Sequence, residues 1–192
     1  QYRPRGVKNG DAGAPCQVTA VGYTLAEPLP EKKIALLSWL EIKQKFGLGD
    51  FAPKEKAVLV IETPFDPYWP KVDAQETYAR VAAYLDDALE PDVKIHFKLH
   101  YSNPDMNCFS GTIVEDRVKL LPHSVPAELY VMGYDRVYFF VSTSLLVPTQ
   151  ACLFSLSKLI SFENEKEERR FFSTFNTIFK DYPGQIEMIS DE

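Results

Sequence analysis

The sequence lacks the short motifs that mark the commonest catalytic and cofactor sites. Its 9 glycines are scattered over 192 residues, and neither the G-x-G-x-x-G dinucleotide fingerprint nor the P-loop pattern occurs. The G-x-S-x-G elbow of serine hydrolases and the ligand spacing of an EF-hand are missing as well. We therefore predict no resident cofactor and favour a non-catalytic role, although an active site assembled from distant residues would leave no such motif.

Cysteine is scarce too. Cys16, Cys108 and Cys152 are far apart and form no C-x-x-C pair, so neither a disulfide framework nor a zinc motif is present. We expect these cysteines to pack as small hydrophobic side chains. Cys108 lies in the turn-prone segment SNPDMNCFSG, which shows no local signature of an activated thiol.

Positive charge is in the minority. The 21 Lys and Arg residues are outnumbered by 27 Asp and Glu residues, for a formal net charge of −6. This balance argues against general affinity for nucleic acid or for anionic lipid, because both ligands attract Lys and Arg. A hydrophobic fraction of 45% is ample for a folded core.

One uncharged run, residues 137–157, is long enough to span a membrane. Serine, threonine and glutamine are spread through it, and Pro148 interrupts it. A turn at VPTQ would divide the run into two segments rich in β-branched and aromatic residues, as in buried strands. We predict two strands and no transmembrane span; peripheral association with a membrane complex is compatible with the sequence.

The first 15 residues, QYRPRGVKNGDAGAP, are rich in Gly, Pro and Arg and have no periodicity. Such a composition is typical of an extended arm that clasps a partner. We predict an arm over residues 1–15 and a single domain over 16–192, with Tyr2, Arg3 and Arg5 as partner contacts. Gln1 fits a processed chain and a part of a longer one equally well, so no compartment is predicted.

Hydrophobic periodicity predicts three helices: IALLSWLEIKQKF (34–46), a helix capped by Asp73 and Glu76, and a helix capped by Asn164. Strands are predicted over 16–25, 56–62, 93–101, 109–120, 128–132, 136–147, 150–162 and 185–189. Residues 133–135 and 148–150 resemble hairpin turns. We therefore predict an α+β fold, a curved antiparallel sheet with helices on one face.

The stretch VKIHFKLHYS, residues 93–102, alternates apolar and basic side chains and is typical of a strand. Its basic set is Lys94, His96, Lys98 and His100. In a strand His96 and His100 would be about 13 Å apart, too far to share one metal ion, so we predict no metal site. The basic face is interpreted mainly as the solvated face of a sheet, and alternatively as a contact for an anion or a partner.

The segment TPFDPYWPK, residues 63–71, combines three prolines with three large aromatic side chains. Proline stiffens the chain, and aromatic side chains on stiff loops are favoured interface anchors. Phe65, Tyr68 and Trp69 are therefore candidate partner contacts. The alternative is that they fold back on the core, Phe65 first of all.

Two functions follow from these observations. The first is a non-catalytic interaction or assembly subunit of a larger protein complex, with protein partners at the aromatic loop and the arm. The alternative is a domain, or an enzyme derived from one, that binds a small apolar ligand in a cavity between the sheet and the C-terminal helix. The aromatic residues that support the alternative, and that core packing explains equally well, are Tyr130, Tyr138, Phe139, Phe140, Phe154 and Phe175.

Overall fold

The computed structural model describes residues 41, 44, 45, 47, 53, 55–63, 65, 71–100, 107–145, 149–181 and 186–190. The elements in chain order are β1 (Ala57–Ile61), β2 (Val72–Asp73), α1 (Ala74–Ala88), β3 (Lys94–Lys98), β4 (Val118–Leu121), α2 (Ala127–Val131), β5 (Arg136–Phe139), β6 (Cys152–Ser155), β7 (Ser161–Phe162), α3 (Glu165–Phe179) and β8 (Ile186–Met188). Three short 3-10 helices, Glu115–Arg117, Thr143–Leu145 and Ser157–Leu159, lie between them.

Six strands form one sheet in the order β4-β3-β1-β5-β6-β8. Each neighbouring pair in it is parallel. The predicted curved antiparallel sheet is therefore wrong, and the fold is α/β instead of α+β. Among the strands that the structure describes, antiparallel pairing is confined to the small ladder between β2 and β7.

The error comes from strand direction, which a short apolar run does not reveal. Strands β5 and β6 run parallel, so the chain between them crosses over and makes no hairpin at residues 148–150. The predicted hairpin at 133–135 is also wrong, because the preceding segment is helix α2 and not a strand. Most of the strand predicted over 109–120 is turn and 3-10 helix, and β4 begins only at Val118.

Two predicted helices are confirmed, and the residues that cap them show why. Asp73 caps α1 by accepting a hydrogen bond from the Glu76 amide at 2.9 Å. Asn164 caps α3 by accepting from two amides of its first turn, those of Lys166 and Glu167. The strand predicted over 56–62 is β1. The arm over 1–15, the strand over 16–25 and most of the helix over 34–46 lie outside the described residues.

Helices cover both faces of the sheet. On one face α1 packs Tyr84 edge-on against Tyr138 of β5, with ring centroids 6.3 Å apart. On the other face α3 places Phe175 and Phe179 against Phe139 of β5, at 6.5 and 5.6 Å. Of the six aromatic residues behind the expected apolar cavity, Phe139 and Phe175 fill the contact between the sheet and the C-terminal helix, whereas Tyr138 and Phe140 pack against α1 on the other face. All are buried except Phe154, which is half-buried.

The strand order reverses between β1 and β5. From β1 the chain builds outward to β3 and β4, and then returns to the other side of β1 to build β5, β6 and β8. Connections leave neighbouring strands in opposite directions at such a point, and a crevice opens at the carboxyl ends. Thr63 joins the two strands there: its hydroxyl donates to the Val141 carbonyl at 2.6 Å and accepts from the Val141 amide at 3.2 Å.

The described helices include none that is long and apolar enough to cross a bilayer. The uncharged run at 137–157 contains most of β5 and all of β6 instead. This agrees with the expectation that the run does not span a membrane.

Substitution of Thr63 tests how firmly the reversal point is held. Thr63→Val keeps the shape of the side chain but leaves two buried main-chain groups of Val141 without their partner. We expect the free energy of unfolding to fall by about 1–3 kcal/mol, measured by urea denaturation. The matched control is Thr177→Val on the exposed side of α3, which should change it by less than about 0.5 kcal/mol. Equal effects of the two substitutions would mean that the Thr63–Val141 hydrogen bonds do not stabilise the reversal point.

Candidate ligand site

A cavity of about 360 Å³ opens at the carboxyl ends of β1 and β3, beside the reversal point. Residues 61–62 and 98–100 form its floor, and residues 123–128 and 142–144 form its walls. In open α/β sheets, ligands bind at this edge and at this position in the strand order. The cavity also falls within the size range of small-molecule sites. We call it the strand-end cavity.

Lys98 is the buried cation of the strand-end cavity, with 4% of its surface exposed. Its ammonium donates to the main-chain carbonyls of Leu99 at 2.7 Å and His123 at 3.3 Å. Burial lowers the pKa of Lys98, and the carboxylates of Glu128 and Glu62 oppose that shift. An ammonium has three N–H donors, so one donor is not used by any described residue.

Two carboxylates face the same cavity. Glu62, the residue after β1, is 3% exposed and accepts a hydrogen bond from the His100 amide at 2.6 Å. This bond ties the end of β1 to the chain that leaves β3. Glu128 of α2 accepts from the Ser144 hydroxyl at 3.1 Å and so joins the two walls.

His100 and Cys108 lie close to these groups, but only His100 lines the cavity. Burial, with a smaller contribution from Lys98, lowers the pKa of His100. The Cys108 thiol donates to Glu62 at 3.7 Å, and burial next to that carboxylate raises its pKa to about 12. A thiol with such a pKa stays protonated, so Cys108 is not an activated nucleophile.

The basic residues of VKIHFKLHYS do not form a solvated face. His96 and Lys98 are buried, while Lys94 and His100 are half-buried. The reason is that both faces of a parallel sheet are covered by helices and connections. Lys98 and His100 reach the strand-end cavity, whereas His96 is held inside the protein.

His96 bridges a tyrosine and a carboxylate. Its Nδ1 is 2.6 Å from the Tyr134 hydroxyl, and its Nε2 is 2.9 Å from Glu55 Oε1, which also accepts from Lys119 at 3.0 Å. Because an ionised carboxylate only accepts, Nε2 carries the proton of the neutral ring and the Tyr134 hydroxyl donates to Nδ1. Burial lowers the pKa of His96; hydrogen bonding to Glu55 opposes this, and the nearby Lys119 charge adds to it.

Of the partner contacts predicted on the aromatic loop and the arm, the structure describes only Phe65. Phe65 is half-buried and packs against Tyr78 and Phe140, with ring centroids 6.2 and 5.3 Å away. Its ring therefore packs on the core, which is the alternative that the sequence analysis gave for Phe65. Tyr68 and Trp69, and Tyr2, Arg3 and Arg5 of the arm, lie outside the described residues.

Sequence reasoning missed Glu62, Glu128 and Ser144. The one local signal is a charged residue directly after the apolar run of β1, which indicates a strand end at a functional edge once the sheet is known to be parallel. Glu128 and Ser144 meet only because α2 and the chain after β5 converge. Within the described residues, no group of three or more His, Cys, Asp or Glu side chains is placed to hold a metal ion.

Comparison with known proteins adds little. Two similar solved structures are each described as a "putative MAR1 ribonuclease". The Leishmania major structure has a TM-score of 0.45 and 12% identity, over 71% of this chain and 79% of that chain. For the Leishmania donovani structure the values are 0.44 and 11%, with the same coverage. These scores carry no inference about activity. No family model and no curated protein match the sequence.

The buried state of His96 predicts how stability depends on pH. With a lowered pKa, the folded chain binds fewer protons than the unfolded chain below about pH 6.5. The free energy of unfolding is therefore highest above about pH 6.5 and falls as the pH decreases toward the lowered pKa, by at most about 1.4 kcal/mol per pH unit for one proton.

His96→Gln should remove the contribution of His96 to the pH dependence of the unfolding free energy. The contribution of His100, whose pKa is also lowered, has the same sign and should remain. Urea unfolding of both proteins from about pH 7.5 to about pH 5 measures the difference. The two proteins should show different slopes in this range; identical slopes would mean that His96 does not titrate as its burial requires.

Proposed function

We propose that this chain binds a small polar molecule in the strand-end cavity. The observation that carries the proposal is a buried lysine, Lys98, with an unused donor, in a cavity beside the point where the strand order of the parallel sheet reverses. Ligand sites of α/β proteins are built at this position because the crevice and the strand ends coincide there.

The chemistry of the lining favours a polar ligand over the apolar one that the sequence indicated. Lys98 offers a donor, Glu62 and Glu128 offer acceptors, and residues 142–144 add three hydroxyl groups. A few convergent polar groups in a concave site are the usual means of orienting a ligand. The apolar side chains of the lining are those of Ile61, Leu99 and residues 125–127.

The burial of Lys98 also supports a ligand. Removing an ammonium from water is costly unless it is paired and hydrogen-bonded, and two carbonyls do not neutralise its charge. A ligand atom that accepts the remaining N–H would complete the coordination of Lys98. Enclosure in the cavity would make such a bond stronger than the same bond in water.

A thermal-shift screen of polar metabolites against the purified chain tests the proposal. Ligands that bind the folded state raise the melting temperature. For each hit we expect Lys98→Met to weaken binding at least tenfold, because a hydrogen bond to a charged group contributes about 1.5–3 kcal/mol. Lys94→Met, on the same strand but outside the lining, is the control and should retain full affinity. Hits that bind both variants equally would place the ligand elsewhere.

A non-catalytic assembly subunit is the second candidate, and one observation favours it. Strand β4 is at the edge of the six-stranded sheet, and Leu120 on it is 42% exposed. Ile113, a few residues earlier, is 71% exposed. Among the described strands, β4 has a neighbour on one side only, and an edge strand next to exposed apolar side chains is a surface on which another chain can pair.

Native mass spectrometry of gentle extracts from the source tests this second candidate. An assembly subunit should migrate well above the 21.9 kDa of the chain together with reproducible partners. Leu120→Lys should release those partners because it places a charge in an apolar contact. Thr177→Lys on α3 is the control and should leave the complex intact. A species of 21.9 kDa alone would contradict a subunit role.

A further inference from the structure

We infer that the ligand of the strand-end cavity is a small zwitterion of the amino-acid type, with its carboxylate on Lys98 and its ammonium group on Glu128. The inference rests on the proposed function and adds the chemical class of the ligand. Its basis is that the cavity holds charges of both signs that do not neutralise each other.

Lys98 and Glu128 line the same cavity without forming an ion pair. Lys98 donates to the carbonyls of Leu99 and His123, and Glu128 accepts from the Ser144 hydroxyl. Among the described residues, these are the only hydrogen bonds of the two side chains, and no ion pair includes either one. The two charges are still close enough for Glu128 to favour the ammonium form of Lys98.

Opposite charges in an enclosed site normally meet, because burying either one alone is costly. Here each is anchored to a different part of the chain. Lys98 is held on the floor, at the end of β3, by two carbonyls, and Glu128 is held on one wall by its bond to Ser144 of the other wall. Both groups keep hydrogen-bonding capacity for a ligand in the cavity: one N–H of Lys98 and the remaining lone pairs of the Glu128 carboxylate.

Lys98 and Glu128 together discriminate between ligands of different charge. A simple anion on Lys98 would lie near the carboxylates of Glu128 and Glu62, and a simple cation on Glu128 would lie near the Lys98 ammonium. A phosphate would meet the same repulsion with a larger charge. A ligand that carries both charges has an opposite charge to pair with at each end.

The rest of the lining suits the remaining atoms of such a ligand. The hydroxyl groups of residues 142–144 lie on the same wall as the Ser144–Glu128 bond and can accept further N–H donors of the ammonium group. Leu99 and Val125 supply an apolar surface for a short side chain. A volume of about 360 Å³ holds a molecule of this size with room for bound water.

The test uses the full chain and three sets of probes: the proteinogenic amino acids, their N-acetyl derivatives and their methyl esters. Acetylation removes the ammonium charge and esterification removes the carboxylate charge. Isothermal titration should show binding of one or more free amino acids, with at least tenfold weaker binding of both derivatives, since each loses a charge-assisted hydrogen bond.

Two variants show which residue binds each end of the ligand. Lys98→Met should bind the free amino acid no better than its methyl ester, and Glu128→Gln should bind it no better than its N-acetyl derivative. Glu165→Gln, an exposed carboxylate of α3, is the matched control and should preserve the full preference for the zwitterion. Circular dichroism and melting curves of each variant separate a lost contact from a lost fold.

The possible results distinguish the two levels of the proposal. If N-acetyl derivatives or esters bind as tightly as the free amino acids, or if no free amino acid binds, the zwitterion assignment is overturned. When neutral polar metabolites still bind in a Lys98-dependent manner, the strand-end cavity remains a ligand site for another class. If nothing binds in a way that depends on Lys98, the proposed function fails together with the inference.

Discussion

Burial of both faces of a parallel sheet is the constraint on which the rest of this structure depends. Parallel strands require crossover connections, and these connections place helices and loops over each face. A polar side chain on a central strand therefore cannot reach water across the sheet. It must find a partner inside the protein, or it must lie at the end of its strand, where the layers separate.

His96 and Lys98 show the two outcomes on one strand. They are two residues apart and so point to the same face of β3. His96, in the middle of the strand, is satisfied by Tyr134 and Glu55. Lys98, at the end, is held by two carbonyls and opens onto the strand-end cavity. Position along the strand thus separates a group enclosed by internal partners from one that also lines a cavity.

The sequence contains the elements of this fold but not their arrangement. Capping residues and apolar periodicity locate α1 and α3, because those signals are local. Strand direction is set by crossovers tens of residues long, and the polar alternation of residues 93–102 looks the same whether water or buried partners face it. The site is harder still to predict, since Glu62, Lys98 and Glu128 come together only through the topology.

The strand-end cavity has a floor and walls of different origin. The floor belongs to the hydrogen-bonded ends of β1 and β3, whereas the walls are connecting segments that contribute no strand to the sheet. Substitutions at Ser124 or Thr143 would reshape the cavity without breaking a sheet ladder. The fold therefore separates the shape of the cavity from the sheet that positions it: mutation can alter the walls while the sheet stays the same.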